Sequence, residues 1–148
     1  MLEFAAHLVS SIERHYPELV SLALADMDEF EEEVRSRNEP FTPLPHKERN
    51  MRQIVFGMRE VIGEALDGDE KGPKRTVFME SLYPGLRSVG VPLTQVVPTT
   101  AGLFVHVSAM CLPDVPDDCR TRAQRWLAGF ARRYVDEMMS IYVSSIEP

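Results

Sequence analysis

The sequence predicts an all-α single domain of five or six helices, and three observations carry that reading. Apolar residues recur at steps of three and four along most of the chain, prolines and glycines fall between those runs, and no stretch keeps the alternation of a half-buried strand. A length of 148 residues fits one domain, 1–148, at ~100 to 200 residues per domain, and excludes a multidomain enzyme. With 44% apolar and 26% charged residues, the chain can build a core and is not charged enough to stay disordered.

Leu2, Ala5 or Ala6, Val9 and Ile12 predict a short amphipathic helix over residues 2–14. Pro17 suits the first turn of a second helix, whose apolar face is Leu19, Val20, Ala23, Leu24, Met27 and Phe30 and which stops before Pro40. Pro40, Pro43 and Pro45 each bias the preceding residue away from helix, so residues 38–45 read as an extended surface loop. The clearest helix covers residues 47–66, with Met51, Ile54, Val55, Met58, Val61, Ile62 and Ala65 in one stripe, and Gly68 and the charged residues up to Pro73 end it.

A fourth helix covers residues 75–89, with Phe78, Ser81, Leu82 and Leu86 pointing inward and Val77 beside them; Pro84 within it is a point of bending or splitting. Pro92 starts a fifth, residues 93–112, kinked or irregular around Pro98. Val96, Val97, Leu103, Phe104, Val107 and Met110 make this helix apolar on more than one side, so it needs burial by its own domain, a second subunit or a ligand. After a turn over residues 113–116, with Asp117 and Asp118 as N-cap carboxylates, the last helix runs over 119–146. It presents Trp126, Leu127, Phe130, Tyr134, Met138, Ile141 and Tyr142 on one broad face and Arg122, Arg125, Arg132 and Arg133 on much of the other.

The formal net charge of −7 opposes a nucleic-acid backbone or an anionic lipid face as main partner. It is unevenly placed: residues 1–70 hold 16 acids and 7 bases, residues 71–148 hold 7 acids and 9 bases. From Ser88 to Pro113, 26 residues carry no Asp, Glu, Lys or Arg, which is long enough to cross a bilayer. Gly90, Pro92, Gln95, Pro98, Thr99, Thr100 and His106 interrupt its apolar residues, so a buried helix is expected there and not a span. Glu3 stands where a secretory signal carries Lys or Arg, so a cytoplasmic protein is expected, with Cys111 and Cys119 reduced.

No G-x-S-x-G and no glycine-rich phosphate loop occurs, so no catalytic residue is assigned and a non-enzyme is expected. Helical spacing spreads Asp26 to Glu33 around the axis, as on a solvated face, and the run lacks the loop glycine of a calcium site. No pair of Glu-x-x-His motifs is present for di-iron, and His106, Cys111 and Cys119 lack a fourth zinc ligand, so no metal is assigned. His106 is read as a partly buried core histidine, with a cofactor-ligand role as the alternative. The arginines of the last helix form a solvated face or a docking surface for an acidic partner. Met58, Phe78, Leu86 and Phe104, with His106, are the residues expected to line a pocket for haem or a fatty-acid-like molecule, although flexible Met and aromatic side chains suit a plain core equally.

The segment Ser81-Leu82-Tyr83-Pro84-Gly85-Leu86-Arg87-Ser88-Val89-Gly90-Val91-Pro92-Leu93 resembles the junction in globin-coupled sensors and in their haem-free relatives, the N-terminal sensory domains of stressosome co-antagonist proteins. Ile12-Glu13-Arg14-His15-Tyr16-Pro17-Glu18-Leu19 is similar to the end of that family's first helix. The resemblance covers most of the chain by helix order, with Val89-Gly90-Val91-Pro92-Leu93 as its one specific motif. It implies a globin-like bundle acting as a non-catalytic sensory or regulatory domain in bacterial signalling, through a homodimer and a protein partner. The dimer contacts would come from the last two helices, with Val97, Leu103, Val107, Phe130, Tyr134 and Met138. In haem-binding members the proximal histidine lies four residues before the glycine matched by Gly90, a position held here by Leu86. Leucine cannot coordinate iron, so the resemblance points to the haem-free branch and to no cofactor.

Overall fold

A computed structural model describes residues 2–145, all-helical and without strands among them. Six α-helices follow in order: α1 (Ala5–Arg14), α2 (Tyr16–Ser36), α3 (Lys47–Leu66), α4 (Pro73–Ser88), α5 (Leu93–Cys111) and α6 (Asp117–Ser144), with a 3₁₀ turn at Leu112–Asp114 before α6. The expected end of the last helix at Ile146 lies outside the described residues. α5 packs between α2 and α6, while α3 packs on α1, α2 and α4, and α4 closes back onto α6.

The periodicity of α3 holds without revision. Met51, Val55, Met58, Val61, Ile62 and Ala65 are buried, and Ile54 is half-buried at the edge of the stripe. In α1 the buried stripe is Ala5, Leu8, Ser11 and Ile12, preceded by Phe4, while Leu2 stays exposed. Asp117 and Asp118 occupy the first turn of α6 and not the cap, which is Pro116; they still face the positive end of the helix. Neither Pro84 nor Pro98 splits its helix. Each removes one amide donor, and each ring lies away from the most buried face.

Between α4 and α5 the chain reverses at Gly90, whose φ of +86° is a left-handed conformation that glycine adopts without steric cost. The amides of Gly90 and Val91 close onto the carbonyls of Arg87 and Leu86, both at 3.0 Å, satisfying the last turn of α4. Tyr142 of α6 donates to the Val91 carbonyl at 2.7 Å, so this junction is clamped from the far end of the chain.

α4 is the helix whose orientation departs from the pattern. Its buried residues are Arg75, Met79 and Tyr83, a single line at steps of four. Val77 and Ser81 are exposed, and Phe78, Leu82 and Leu86 are half-buried on the flank. The reason is polar anchoring. The Arg75 guanidinium, 3% exposed, donates to Glu137 of α6 and to the Glu70 carbonyl at 2.8 Å. Glu70 in turn accepts from Nε and Nη2 of Arg133, at 2.8 and 2.7 Å, and this ion pair holds its carboxyl below the usual range. Two turns on, the Tyr83 and Tyr134 hydroxyls share a buried hydrogen bond of 2.6 Å. These partners are available only on the side facing α6, so α4 turns that side inward.

Arg75→Ala would deprive Glu137 and the Glu70 carbonyl of their buried donor while leaving the Glu70 carboxylate its Arg133 pair, and should lower the unfolding free energy by ~2 kcal/mol in urea titration. Arg52→Ala, which removes an exposed pair with Glu48, should change it by less than ~1 kcal/mol.

Candidate functional site

The rotation of α4 leaves an apolar groove between α3 and α4, with a volume of about 940 Å³. Ile54 from α3 and Val77, Phe78, Leu82, Leu86 and Val89 from the α4 side supply most of its hydrocarbon, and Leu44 and Pro45 close one end. Asn50, Gln53 and Ser81 are neutral polar groups along it, and Lys74, paired with Glu60 at 3.2 Å, stands at the other end. The two helices approach closely because position 57 is glycine: a Cβ there would sit 2.0 Å from the Phe78 ring.

Residues 37–46 are not simply a surface loop. Phe41 and Leu44 pack onto the core, with Phe41 edge-on to Phe30 at 6.2 Å. Gln95 of α5 fixes the segment by pairing with the Thr42 backbone in both directions, donating to its carbonyl and accepting from its amide, each at 3.0 Å. Behind this segment lies a second, smaller cavity of about 50 Å³, lined by Met27, Phe30, Phe41, Met51, Tyr83, Val91, Gln95, Val96, Thr99 and Thr100. Four residues, Leu44, Ile54, Leu82 and Leu86, line both the groove and this inner cavity and form the wall between them.

The expected ligand set is therefore split. Phe78 and Leu86 line the groove, whereas Met58 and Phe104 are buried in the general core, Phe104 edge-on to Phe130 and Tyr134 at 5.9 and 5.5 Å. His106 lies at neither cavity: its Nε2 meets Asp26 of α2 at 2.5 Å, bridging α2 and α5. Leu44, Ile54, Val77 and Leu82 were missed as site residues. Only the two polar anchors of α4 distinguish its flank from its core face, and neither carries a hydrophobic signal.

The expected dimer residues also fall differently. Leu103, Val107, Phe130, Tyr134 and Met138 are buried within the chain's own core, and Val97 is half-buried beside them. Those five side chains are already occupied by intrachain packing, so they cannot present a contact surface. The exposed side of α5 is Thr94, Pro98, Ala101, Val105 and Ala109, a strip without a charge in which Val105 is 63% exposed. The segment Leu93–Asp114 is long and apolar enough to cross a membrane by composition, and only 33% of its most apolar window is buried.

One further cluster brings nucleophile, acid and imidazole together. Asp114 Oδ2 accepts from Ser11 at 2.6 Å and from Arg14, with His15 Nε2 at 3.0 Å. Here the carboxylate lies between the serine and the histidine, the reverse of the order in which an imidazole takes a serine proton. The cluster acts as a clip joining the end of α1 to the turn before α6. Nearby Cys111 is fully buried, and burial pushes its thiol up, away from the reactive thiolate form. Among the described residues, no three His, Cys, Asp or Glu side chains converge as a metal site. No protein-family model, curated protein or solved structure matches the chain.

The donors from Ser11 and Arg14 hold the Asp114 carboxyl down at about 2, against an ordinary value of 3.8. A lowered folded-state value contributes stability that is complete above the ordinary value and is lost as pH falls towards 2. Asp114→Asn should therefore be less stable at pH 7 and show a shallower loss of stability between pH 4 and pH 2, as read by urea unfolding across that range.

Proposed function

We propose that this chain is a non-catalytic, haem-free sensory or regulatory domain of the globin-like kind found in bacterial signalling, cytoplasmic and acting as a homodimer on a protein partner. The observation that carries the reading is the uncharged exposed strip of α5, Pro98, Ala101, Val105 and Ala109. A helix with no charge over its whole length is well matched to burial against protein on its outer side as well as its inner one. A second copy of α5, flanked by α6, supplies a surface of the same small apolar residues, and a two-fold axis lets the strip cover itself. The Val89-Gly90-Val91-Pro92-Leu93 junction supports the family resemblance, and Leu86 at the position of a proximal histidine supports its haem-free branch.

A second reading, a small-molecule binding protein for haem or a fatty-acid-like ligand, is favoured by the α3–α4 groove. Its volume lies in the ~300 to 1,000 Å³ range of ligand sites, and its walls are mainly apolar with a few polar groups. Within that reading an apolar chain suits the site better than haem, because Leu86 lines the groove and His106 is held by Asp26 elsewhere.

Light scattering at micromolar concentration should give the mass of two chains, and Val105→Glu should give one chain with an unchanged helical circular-dichroism spectrum. A monomeric parent protein would overturn the dimer.

A further inference from the structure

We infer that the α3–α4 groove and the inner cavity behind it form one tract for the single alkyl chain of a carboxylate amphiphile, with the chain end inside and the acid head at the Lys74 end. The inference rests on the small-molecule reading above and does not depend on the dimer. The groove does not end as a surface feature: Leu44, Ile54, Leu82 and Leu86 bound it on one side and the inner cavity on the other. Leu82 and Leu86 are half-buried on the flank of α4, not locked in the core line of Arg75, Met79 and Tyr83, so they can part without breaking either anchor.

The inner cavity selects the end that enters. Three of its polar side chains are already committed: Gln95 to the Thr42 backbone, the Thr99 hydroxyl to the Gln95 carbonyl at 2.9 Å, and the Tyr83 hydroxyl to Tyr134; Thr42 and Thr100 are the other two that line it. The rest of the lining is hydrocarbon and holds no Lys, Arg or His, so a carboxylate head would enter without an ionic partner and a methyl end enters without that cost. A peptide helix is excluded as the occupant by its width, since a helix ~10 Å across does not enter a cavity of about 50 Å³. At the opposite end of the groove, Lys74 is the single cation among the lining residues, 60% exposed at its side chain, and can exchange Glu60 for a ligand carboxylate.

Gly85 provides a test that leaves the core alone, because it lines the groove and nothing lies within 4 Å of a Cβ placed there. The probes are dodecanoate and 1-dodecanol, competing against 11-(dansylamino)undecanoate fluorescence. Saturable one-to-one binding of dodecanoate is expected, weakened at least tenfold by Gly85→Phe and by Leu86→Trp, with circular dichroism confirming the fold of each. Lys74→Glu should weaken dodecanoate more than dodecanol. No saturable dodecanoate binding, or equal affinity in Gly85→Phe, overturns the tract; equal loss of both probes in Lys74→Glu overturns the head assignment. Native mass spectrometry of the purified protein separates the two levels: a co-purifying adduct lost in Gly85→Phe, without dodecanoate binding, overturns the alkyl-chain inference and leaves the small-molecule reading standing. A change of molar mass in Gly85→Phe would assign the groove to a second copy and overturn the inference.

Discussion

The attachment of α4 to α6 through buried polar groups is the constraint on which the rest of the arrangement turns. Arg75 reaches Glu137, and two turns later Tyr83 reaches Tyr134. The tyrosine pair lies in low-dielectric surroundings, where an unmade hydrogen bond is costly and a made one is directional, and the Arg75 guanidinium is buried although its Glu137 partner is 42% exposed. Burial raises the Tyr83 hydroxyl to about 12 and that of Tyr134 well above its ordinary value, so the pair stays neutral and bonded at any ordinary pH. Hydrophobic burial alone would tolerate several rotations of α4 about its axis; these two anchors admit one.

Much follows from that rotation. Turning Arg75, Met79 and Tyr83 inward carries Phe78, Leu82 and Leu86 to the flank and Val77 outward, and the flank becomes one wall of the groove. Gly57 lets the Phe78 ring lie against the α3 backbone, setting how near the two helices come. The same anchors reach a long aromatic series in α6, where Trp126 stacks on Phe130 at 5.2 Å and Phe130 meets Tyr134 at 6.1 Å. Phe4, Phe104 and Tyr83 pack edge-on against this series, tying α1, α5 and α4 to one helix.

The surface divides into parts with different chemistry. α5 has two surfaces to satisfy: its inner side fills the core, and its outer strip is uncharged. On one side of it α2 is acidic and contributes the Asp26 that holds His106. On the other, α6 carries exposed Arg125 and Arg132. The α3–α4 groove lies elsewhere, bounded by the proline-rich segment that Gln95 holds from α5. A ligand in the groove and a copy on α5 would thus meet through two physical links, the Gln95–Thr42 pair and the Gly90 junction clamped by Tyr142.

The sequence by itself determined the helices and their order. Prolines and glycines cluster at the breaks after α2, α3 and α4 and before α6, although Pro84 and Pro98 sit inside helices, and α3 shows its core stripe because each of its buried positions is apolar. The charge-free stretch likewise announced a helix needing cover on more than one side. Only the tertiary structure decided which face of α4 turns inward, because an arginine, a methionine and a tyrosine outrank four more apolar neighbours once Glu137 and Tyr134 stand opposite them. It also decided which large residues of α5 and α6 belong to the chain's own core, and that His106 answers to Asp26, 80 positions away in sequence. Periodicity records what a residue is and how often it recurs; a polar anchor depends on what another helix places across from it, and local spacing does not carry that information.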